Sequence, residues 1–155
     1  MDPLLLDRQL CFPLYAASRL VTRLYQPLLE PLGLTYPQYI VLMILWEDAP
    51  CPVSRLCDRA LLNTNTLTPL LKRLEASGFI TRTRSLDDER VVKVDLTPRG
   101  AALKEACGCV PGTLSASLGC PEAALVALKE QLDGLVAHLR KLEKGLENKG
   151  GLPGA

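Results

Sequence analysis

Apolar side chains recur every three or four positions near the start of the chain, which is the spacing of an amphipathic helix. The positions that set this spacing are Leu14, Ala17, Val21, Leu24 and Leu28. We predict a helix that starts at the capping pair Asp2-Pro3, is interrupted at Pro13 and ends at Gly33. A second helix, from Tyr36 to about Glu47, is apolar around most of its circumference and should be buried.

A short helix, a turn and a longer helix are predicted in the middle of the chain. Residues 48–52 are expected to form a loop, the short helix spans 53–60, and a turn rich in capping residues covers 61–65. The longer helix runs to Ser77, with apolar residues on one face and Gly78 suited to its C-terminal end. Its Pro69 is tolerated if it lies in or near the first turn.

The hydrophobic period then changes from that of a helix to that of a strand. Residues 79–84 and 90–96 are predicted strands, joined by a polar turn into a hairpin with arginines near its tip. A helix begins at Thr97-Pro98 and is expected to end at 110–112. The last helix opens at Pro121, and its leucines from Leu125 to Leu146 form a heptad seam that packs against another helix.

The fold class that follows is mainly α-helical with a small two-stranded β wing. Two helices joined by a tight turn and followed by a hairpin have the order of a winged helix-turn-helix, which we place at residues 35–100. The 155 residues are 48% hydrophobic and 23% charged, as expected for a globular chain of one domain's size. Without a long apolar run or a basic signal region, the chain is expected to be cytoplasmic and to have no membrane partner.

Charge and cysteine content narrow the candidate chemistry. The net charge is only +1, but residues 52–99 hold nine basic and six acidic side chains, which permits contact with nucleic acid. Six cysteines occur without a CxxC pair and with His138 as the only histidine, so we predict neither a metal site nor a cofactor. Cys51 and Cys57 are expected to be small, buried hydrophobic residues.

The second helix of a helix-turn-helix enters the DNA major groove, and here its start carries short hydrogen-bonding side chains. Basic side chains of the hairpin can meet phosphates. At its tip, Arg90 could enter the minor groove with Asp88 orienting its guanidinium. The predicted DNA-binding residues are Asn63, Thr64, Asn65, Thr66, Thr68, Lys72, Arg73, Arg82, Arg84, Asp88 and Arg90.

Several segments resemble the MarR family of winged-helix regulators, and the match as a whole spans about residues 5–145. They are Leu34-Thr35-Tyr36-Pro37-Gln38-Tyr39, the helix from Thr66 to Glu75, Asp88-Glu89-Arg90, and Leu96-Thr97-Pro98-Arg99-Gly100. Within that family, Leu10-Cys11-Phe12, Leu14-Tyr15 and Tyr25 are similar to the OhrR-type branch, which senses organic hydroperoxides. Asn63-Thr64-Asn65 and Pro13 depart from the pattern of that branch, which leaves the operator sequence open.

The resemblance implies a homodimeric transcriptional repressor, and not an enzyme. It would bind double-stranded DNA at a pseudo-palindromic operator. Residues 1–34 and 112–147 would then be dimerisation helices, and residues 148–155 a flexible tail. An organic hydroperoxide would oxidise Cys11 to a sulfenic acid and then to a disulfide, which releases the DNA. Alignment with two-cysteine sensors favours Cys120 as the second thiol, while Cys107, Cys109 and a small cellular thiol remain open.

Helix arithmetic constrains how the two tyrosines could hold the Cys11 thiolate. Tyr15 lies four residues on and shares a helical face with Cys11. Tyr25 lies fourteen residues on, about 21 Å along a continuous helix, so it could serve only the partner's Cys11 in an antiparallel pair. Pro13 could restart the helix and leave the Cys11 sulfur beside a helix N-terminus.

Two other functions compete with the sensor. One is a MarR-type repressor released by a small aromatic ligand, with Cys11 incidental. The other is a thiol peroxidase, which is disfavoured because the chain lacks a thioredoxin-like βαβ pattern.

Overall fold

Helices and one small antiparallel sheet make up the chain, in a computed structural model that describes residues 4–86, 88 and 90–149. Internal contacts divide it into two compact units, Met1–Leu114 and Ser115–Ala155. The capping pair Asp2-Pro3 and residues 150–155 of the predicted tail lie outside the described residues.

The first α-helix, α1, spans Cys11–Leu29 and lies between two short 3-10 helices, Leu6–Arg8 and Glu30–Leu32. The prediction that this helix starts at residues 2–3 was wrong, because an extended backbone at Gln9 separates the first 3-10 helix from α1. Pro13 is the third residue of α1, where its missing N–H leaves no helical hydrogen bond unmade. Gly33 adopts a left-handed φ of 70° and ends this region, as predicted.

The second helix, α2, spans Tyr36–Asp48 and supplies much of the core of the first unit. Its start is fixed by a capping box, in which the Thr35 N–H donates to Gln38 Oε1 at 2.8 Å. The predicted burial is confirmed, since Val41, Leu42 and Leu45 are almost wholly removed from solvent. No single described helix is long and apolar enough to cross a membrane, although the bent pair Cys11–Leu32 and Tyr36–Asp48 meets that test jointly.

The helix-turn-helix consists of α3, Val53–Ala60, and α4, Thr64–Ala76. Helix α4 packs inward through Leu67, Leu71 and Leu74. Pro69 is the sixth residue of α4. It therefore lies beyond the first turn, the position at which proline was expected to be tolerated, and the helix continues through it.

A three-stranded antiparallel sheet follows, with strands β1 (Cys51–Pro52), β2 (Ile80–Arg84) and β3 (Val92–Leu96) in the order β1-β3-β2. The predicted hairpin is confirmed, with Ile80 opposite Leu96 and Arg84 opposite Val92. Strand β1 was predicted as part of a loop. It forms because the backbone around buried Cys51 pairs with β3, a contact distant in sequence.

Three further helices follow in the described residues: α5 (Pro98–Ala106), α6 (Val110–Leu118) and α7 (Glu122–Lys149). The break expected at 110–112 lies instead at 107–109, and Pro111 is the second residue of α6, a position that tolerates proline. The heptad leucines of α7 are largely exposed within the single chain. Asn148 and Lys149, predicted to belong to the tail, extend α7.

Gly100, at the start of α5, lies in close contact with α2 and with the residue before β2. Its carbonyl accepts a 2.9 Å hydrogen bond from Trp46 Nε1, which ties α5 to α2. A Cβ at this position would lie 1.9 Å from the Phe79 carbonyl oxygen, so only glycine fits against the residue before β2. Thr97 Oγ1 donates to the Gly78 carbonyl at 2.7 Å and fixes the start of α5 on the same segment.

We predict that Gly100→Ala lowers the free energy of unfolding by about 3 kcal/mol, because backbone must move to admit the methyl group. Gly112→Ala is the control, since a Cβ there meets no atom within 4 Å. Urea unfolding followed by circular dichroism measures both. Equal stability of the two variants would contradict the packing argument.

Candidate functional site

Cys11 is the first residue of α1 and is exposed. The unpaired backbone N–H groups at that end of a helix attract negative charge. Tyr15, on the same face, is 62% exposed. No described residue of the same chain makes a hydrogen bond to the Cys11 thiol or the Tyr15 phenol. Within the described part of the chain, Cys11 is therefore an exposed thiol at a helix start with no hydrogen-bond donor beside it.

Tyr25 lies near the other end of α1, in a cluster of aromatic rings. Its ring centroid is 4.6 Å from that of Tyr36 and 5.9 Å from that of Tyr39. Burial raises the pKa of both Tyr25 and Tyr36, so both phenols keep their protons, and their ability to donate hydrogen bonds, at neutral pH. Tyr36 was not among the predicted site residues. The signal for it was its position just after the turn at Gly33, which brings the start of α2 back beside the end of α1.

The predicted redox residues do not meet within one chain. Helix α1 is continuous from Cys11 through Tyr25, so the two are about 21 Å apart along its axis. Cys120 belongs to the second unit, is exposed just before α7, and its thiol donates to the Leu118 carbonyl at 3.5 Å. Of the alternatives, Cys109 is exposed, whereas burial raises the pKa of the Cys107 thiol and so disfavours its thiolate.

A groove of about 500 Å³ runs beside the Tyr36 end of the aromatic cluster. Its walls come from the second half of α1, the 3-10 helix after it and the start of α2. The lining residues are Arg19, Thr22, Arg23, Gln26, Glu30, Gly33, Leu34, Thr35, Tyr36 and Pro37. Among the described residues, no cluster of three or more His, Cys, Asp or Glu side chains could hold a metal ion.

The start of α4 carries most of the predicted base-contacting side chains. Thr64, Asn65 and Thr66 are exposed there, and Thr68 is half-buried. Asn63 has a different role, because its Oδ1 accepts a hydrogen bond from the Thr66 N–H at 2.8 Å and so caps the start of the helix. Further along α4, two exposed basic side chains were also predicted to contact DNA: Lys72 and Arg73.

The wing separates its arginines into two groups. Arg90 is 91% exposed, and its Nε donates to Asp88 Oδ1 at 3.2 Å, so the predicted orienting contact is present. Arg84 is exposed on β2. Arg82 is only 26% exposed and donates through Nε to Glu75 Oε2 at 3.0 Å. The geometry therefore disfavours the predicted contact of Arg82 with phosphate, because its guanidinium already joins β2 to α4.

A second set of ion pairs, which the sequence did not reveal, holds α3 against α2. Arg59 donates to Asp48 Oδ2 at 2.7 Å and to Glu47 Oε2 at 2.6 Å, and Arg55 reaches the same Asp48 oxygen. The hydrogen bond from Arg59 lowers the pKa of the Asp48 carboxyl, which therefore stays charged at neutral pH. Helix α3 is thereby fixed in the position from which it supports α4.

Comparison with known proteins agrees with this arrangement. A profile of the family described as transcriptional regulator SarA/Rot matches residues 23–107. The chain is 44% identical, over 143 residues, to the organic hydroperoxide resistance transcriptional regulator of Bacillus subtilis strain 168, a match that covers 92% of this chain and 95% of that protein.

Solved structures give the same result. AbfR, a protein of Staphylococcus epidermidis, is similar in its reduced form bound to DNA, with a TM-score of 0.72, 37% identity, and coverage of 86% of this chain and 94% of that one. Its disulfide form has a TM-score of 0.60 and 38% identity, covering 84% and 92%. MarR of Escherichia coli has a TM-score of 0.69 and 25% identity, covering 82% and 96%.

The Glu75–Arg82 pair gives a pH-dependent prediction. Its hydrogen bonds hold the pKa of the Glu75 carboxyl below the ordinary 4.5, so the pair stabilises the fold above that pH. The contribution is lost as the pH falls through the lower folded-state value. We expect Glu75→Gln to reduce the free energy of unfolding at pH 7 and to matter progressively less toward about pH 3. Urea titrations of both proteins at the two pH values measure this, and an equal difference at both would rule it out.

Proposed function

The chain belongs to the SarA/Rot family of transcriptional regulators, with the winged-helix fold of MarR-type proteins, and from that premise we propose a homodimeric repressor that releases its operator when an organic hydroperoxide oxidises Cys11. It acts as a regulator and not as an enzyme. Since its target is DNA, we expect it in the cytoplasm. The observation that carries the proposal is the split site, with an exposed thiol at one end of α1 and two paired phenols at the other.

Two copies complete this site. If the two α1 helices pack antiparallel, Cys11 of each chain meets the phenols of the partner's Tyr25 and the partner's Tyr36. Neutral phenols donate hydrogen bonds to a thiolate, which stabilises its negative charge. Exposed apolar side chains on α1 and α7 support this packing, because burying them needs a second chain. They are Leu14, Leu20, Leu24, Leu128, Leu132, Leu139 and Leu142.

The chemistry then proceeds in two steps. The Cys11 thiolate attacks the outer peroxide oxygen, the O–O bond breaks, and the alcohol leaves after taking a proton, so that Cys11 becomes a sulfenic acid. The thiol of the partner's Cys120 next attacks that sulfur, forming a disulfide and releasing water. The peroxide accepts two electrons from the Cys11 sulfur in the first step; the disulfide step uses no further oxidant, because the two sulfurs then share that two-electron oxidation. AbfR is described in both a reduced, DNA-bound form and a disulfide form, which supports this route.

The DNA-binding surface combines the first turn of α4 with the tip of the wing. Exposed Thr64, Asn65 and Thr66 would face base edges in the major groove, while Arg84 and Arg90 contact the backbone or minor groove. Both copies must hold these elements at the spacing of the operator half-sites. A disulfide formed between the chains changes that spacing and lowers the affinity for DNA.

We predict that Cys11→Ser binds operator DNA normally but stays bound at cumene hydroperoxide concentrations that fully release the native protein. The operator is first selected from random-sequence DNA by the native protein, and release is followed by fluorescence anisotropy. Arg90→Ala is the matched control. It should bind DNA about tenfold more weakly yet still form the sulfenic acid at Cys11, since a groove-inserted arginine contributes about 1–3 kcal/mol.

Normal peroxide release of Cys11→Ser would refute the sensor. Release of Cys11→Ser by salicylate without oxidant would instead support the second candidate, a repressor of the same fold controlled by a small aromatic ligand. The groove beside Tyr36 has a suitable volume for such a ligand.

We predict that Cys120→Ala abolishes the covalent dimer that hydroperoxide produces in the native protein. The thiol of Cys120 is exposed and therefore accessible to a second chain, whereas Cys107 is buried. Non-reducing electrophoresis measures the product, with Cys109→Ala as the control that should keep the crosslink. A crosslink that persists in Cys120→Ala and is lost in Cys109→Ala would transfer the second-thiol function to Cys109.

A further inference from the structure

Asn65, the second residue of α4, lies on the side of the helix that faces away from the protein core. The inward face of α4 is set by three buried residues, Leu67, Leu71 and Leu74. At 3.6 residues per turn, Asn65 lies about 160° around the helix from Leu67 and about 180° from Leu74. Its side chain is exposed, so it lies on the face that a helix-turn-helix presents to DNA.

The two polar side chains just before Asn65 already have contacts within the chain. Asn63 Oδ1 accepts a hydrogen bond from the Thr66 N–H at 2.8 Å. Thr64 Oγ1 lies 3.8 Å from the Cys57 sulfur. In the part of the chain that the structure describes, the Asn65 carboxamide makes no hydrogen bond. Its amino donors and its oxygen acceptor are therefore both available to a bound molecule.

A free carboxamide matches the hydrogen-bonding pattern of one base edge. In the major groove adenine presents its N7 acceptor beside its N6 amino donor, and an asparagine meets this edge with two parallel hydrogen bonds. Guanine presents two acceptors, cytosine one donor, and thymine one acceptor beside a methyl group, so each of them leaves part of the carboxamide unpaired. A hydroxyl such as that of Thr66 fits donors and acceptors alike and discriminates less.

We propose that Asn65 reads one adenine in each half-site of the operator and so sets the base preference of α4. This proposal rests on the proposed function, from which it takes DNA binding by the helix-turn-helix. Lys72 supports the placement, because it lies within about 20° of Asn65 around the helix and about 10.5 Å further along its axis. Its exposed ammonium can hold a phosphate at the edge of the groove while Asn65 reaches the base.

Selection from random-sequence DNA, followed by sequencing, tests which base Asn65 reads. For the native protein we expect one position in each half-site at which adenine is preferred about tenfold or more over the other bases. Asn65→Ala should lose the preference at that position alone. Asn65→Asp should shift it toward cytosine, whose N4 amino group donates to a carboxylate. Lys72→Ala is the control, because loss of a phosphate contact weakens binding to all sequences and lowers its salt dependence without changing the base preference.

A modified operator tests the contact at the level of one atom. Replacing the selected adenine by 7-deazaadenine removes the N7 acceptor and keeps the base pair. By fluorescence anisotropy, the native protein should bind this operator about tenfold more weakly, because the Asn65 amino group is left unpaired. Asn65→Ala should bind both operators equally. Circular dichroism of this variant should show the native helix content, since the exposed Asn65 side chain makes no hydrogen bond within the described chain.

Three results overturn this inference. They are an unchanged base preference of Asn65→Ala, the loss of a preference for a base other than adenine, and an equal effect of 7-deazaadenine on the native protein and Asn65→Ala. Release of Asn65→Ala from DNA by cumene hydroperoxide would then still uphold the sensor. A native protein that selects no sequence overturns both the reading of adenine and the proposed repressor.

Discussion

The fixed length of α1 is the constraint on which the site depends. A helix of nineteen residues holds Cys11 and Tyr25 about 21 Å apart, and no side-chain rotation closes such a distance. In the proposed sensor, the Cys11 thiol and the Tyr25 phenol are therefore brought together only by a second chain. Under the proposed function, a chain that failed to dimerise would therefore also fail to sense, for a purely geometric reason.

Aromatic and polar contacts in the first unit join neighbouring elements from α1 to the wing. The aromatic cluster at the end of α1 rests on α2, and α2 holds α3 through the pairing of Asp48 with Arg59. Helix α4 in turn holds the wing through the pairing of Glu75 with Arg82. Each of these contacts joins two elements, so in the proposed sensor a displacement of α1 would be passed on toward α4 and the wing.

Elements with a strong local pattern were predictable from the sequence. The buried helix α2, the hairpin of β2 and β3, and the long helix α7 follow from hydrophobic period, and Asp88 was correctly expected to contact Arg90. The features that were missed depend on contacts distant in sequence. Strand β1 exists only because β3 pairs with it, and the break between α5 and α6 falls at 107–109, just before the Pro111-Gly112 pair that was expected to end the helix. The engagement of Arg82 and the proximity of Tyr36 to Tyr25 likewise required the folded chain.

Trp46 gives the molecule an optical property that follows from its position. It is the only tryptophan in the chain, its ring centroid is 6.2 Å from that of Tyr39, and its indole N–H is fixed on the Gly100 carbonyl. Its emission therefore arises from one place, where the aromatic cluster meets the start of α5. Tyr39 lies close enough to transfer absorbed light to this single indole, so the native chain carries a built-in fluorophore at the contact between α2 and α5.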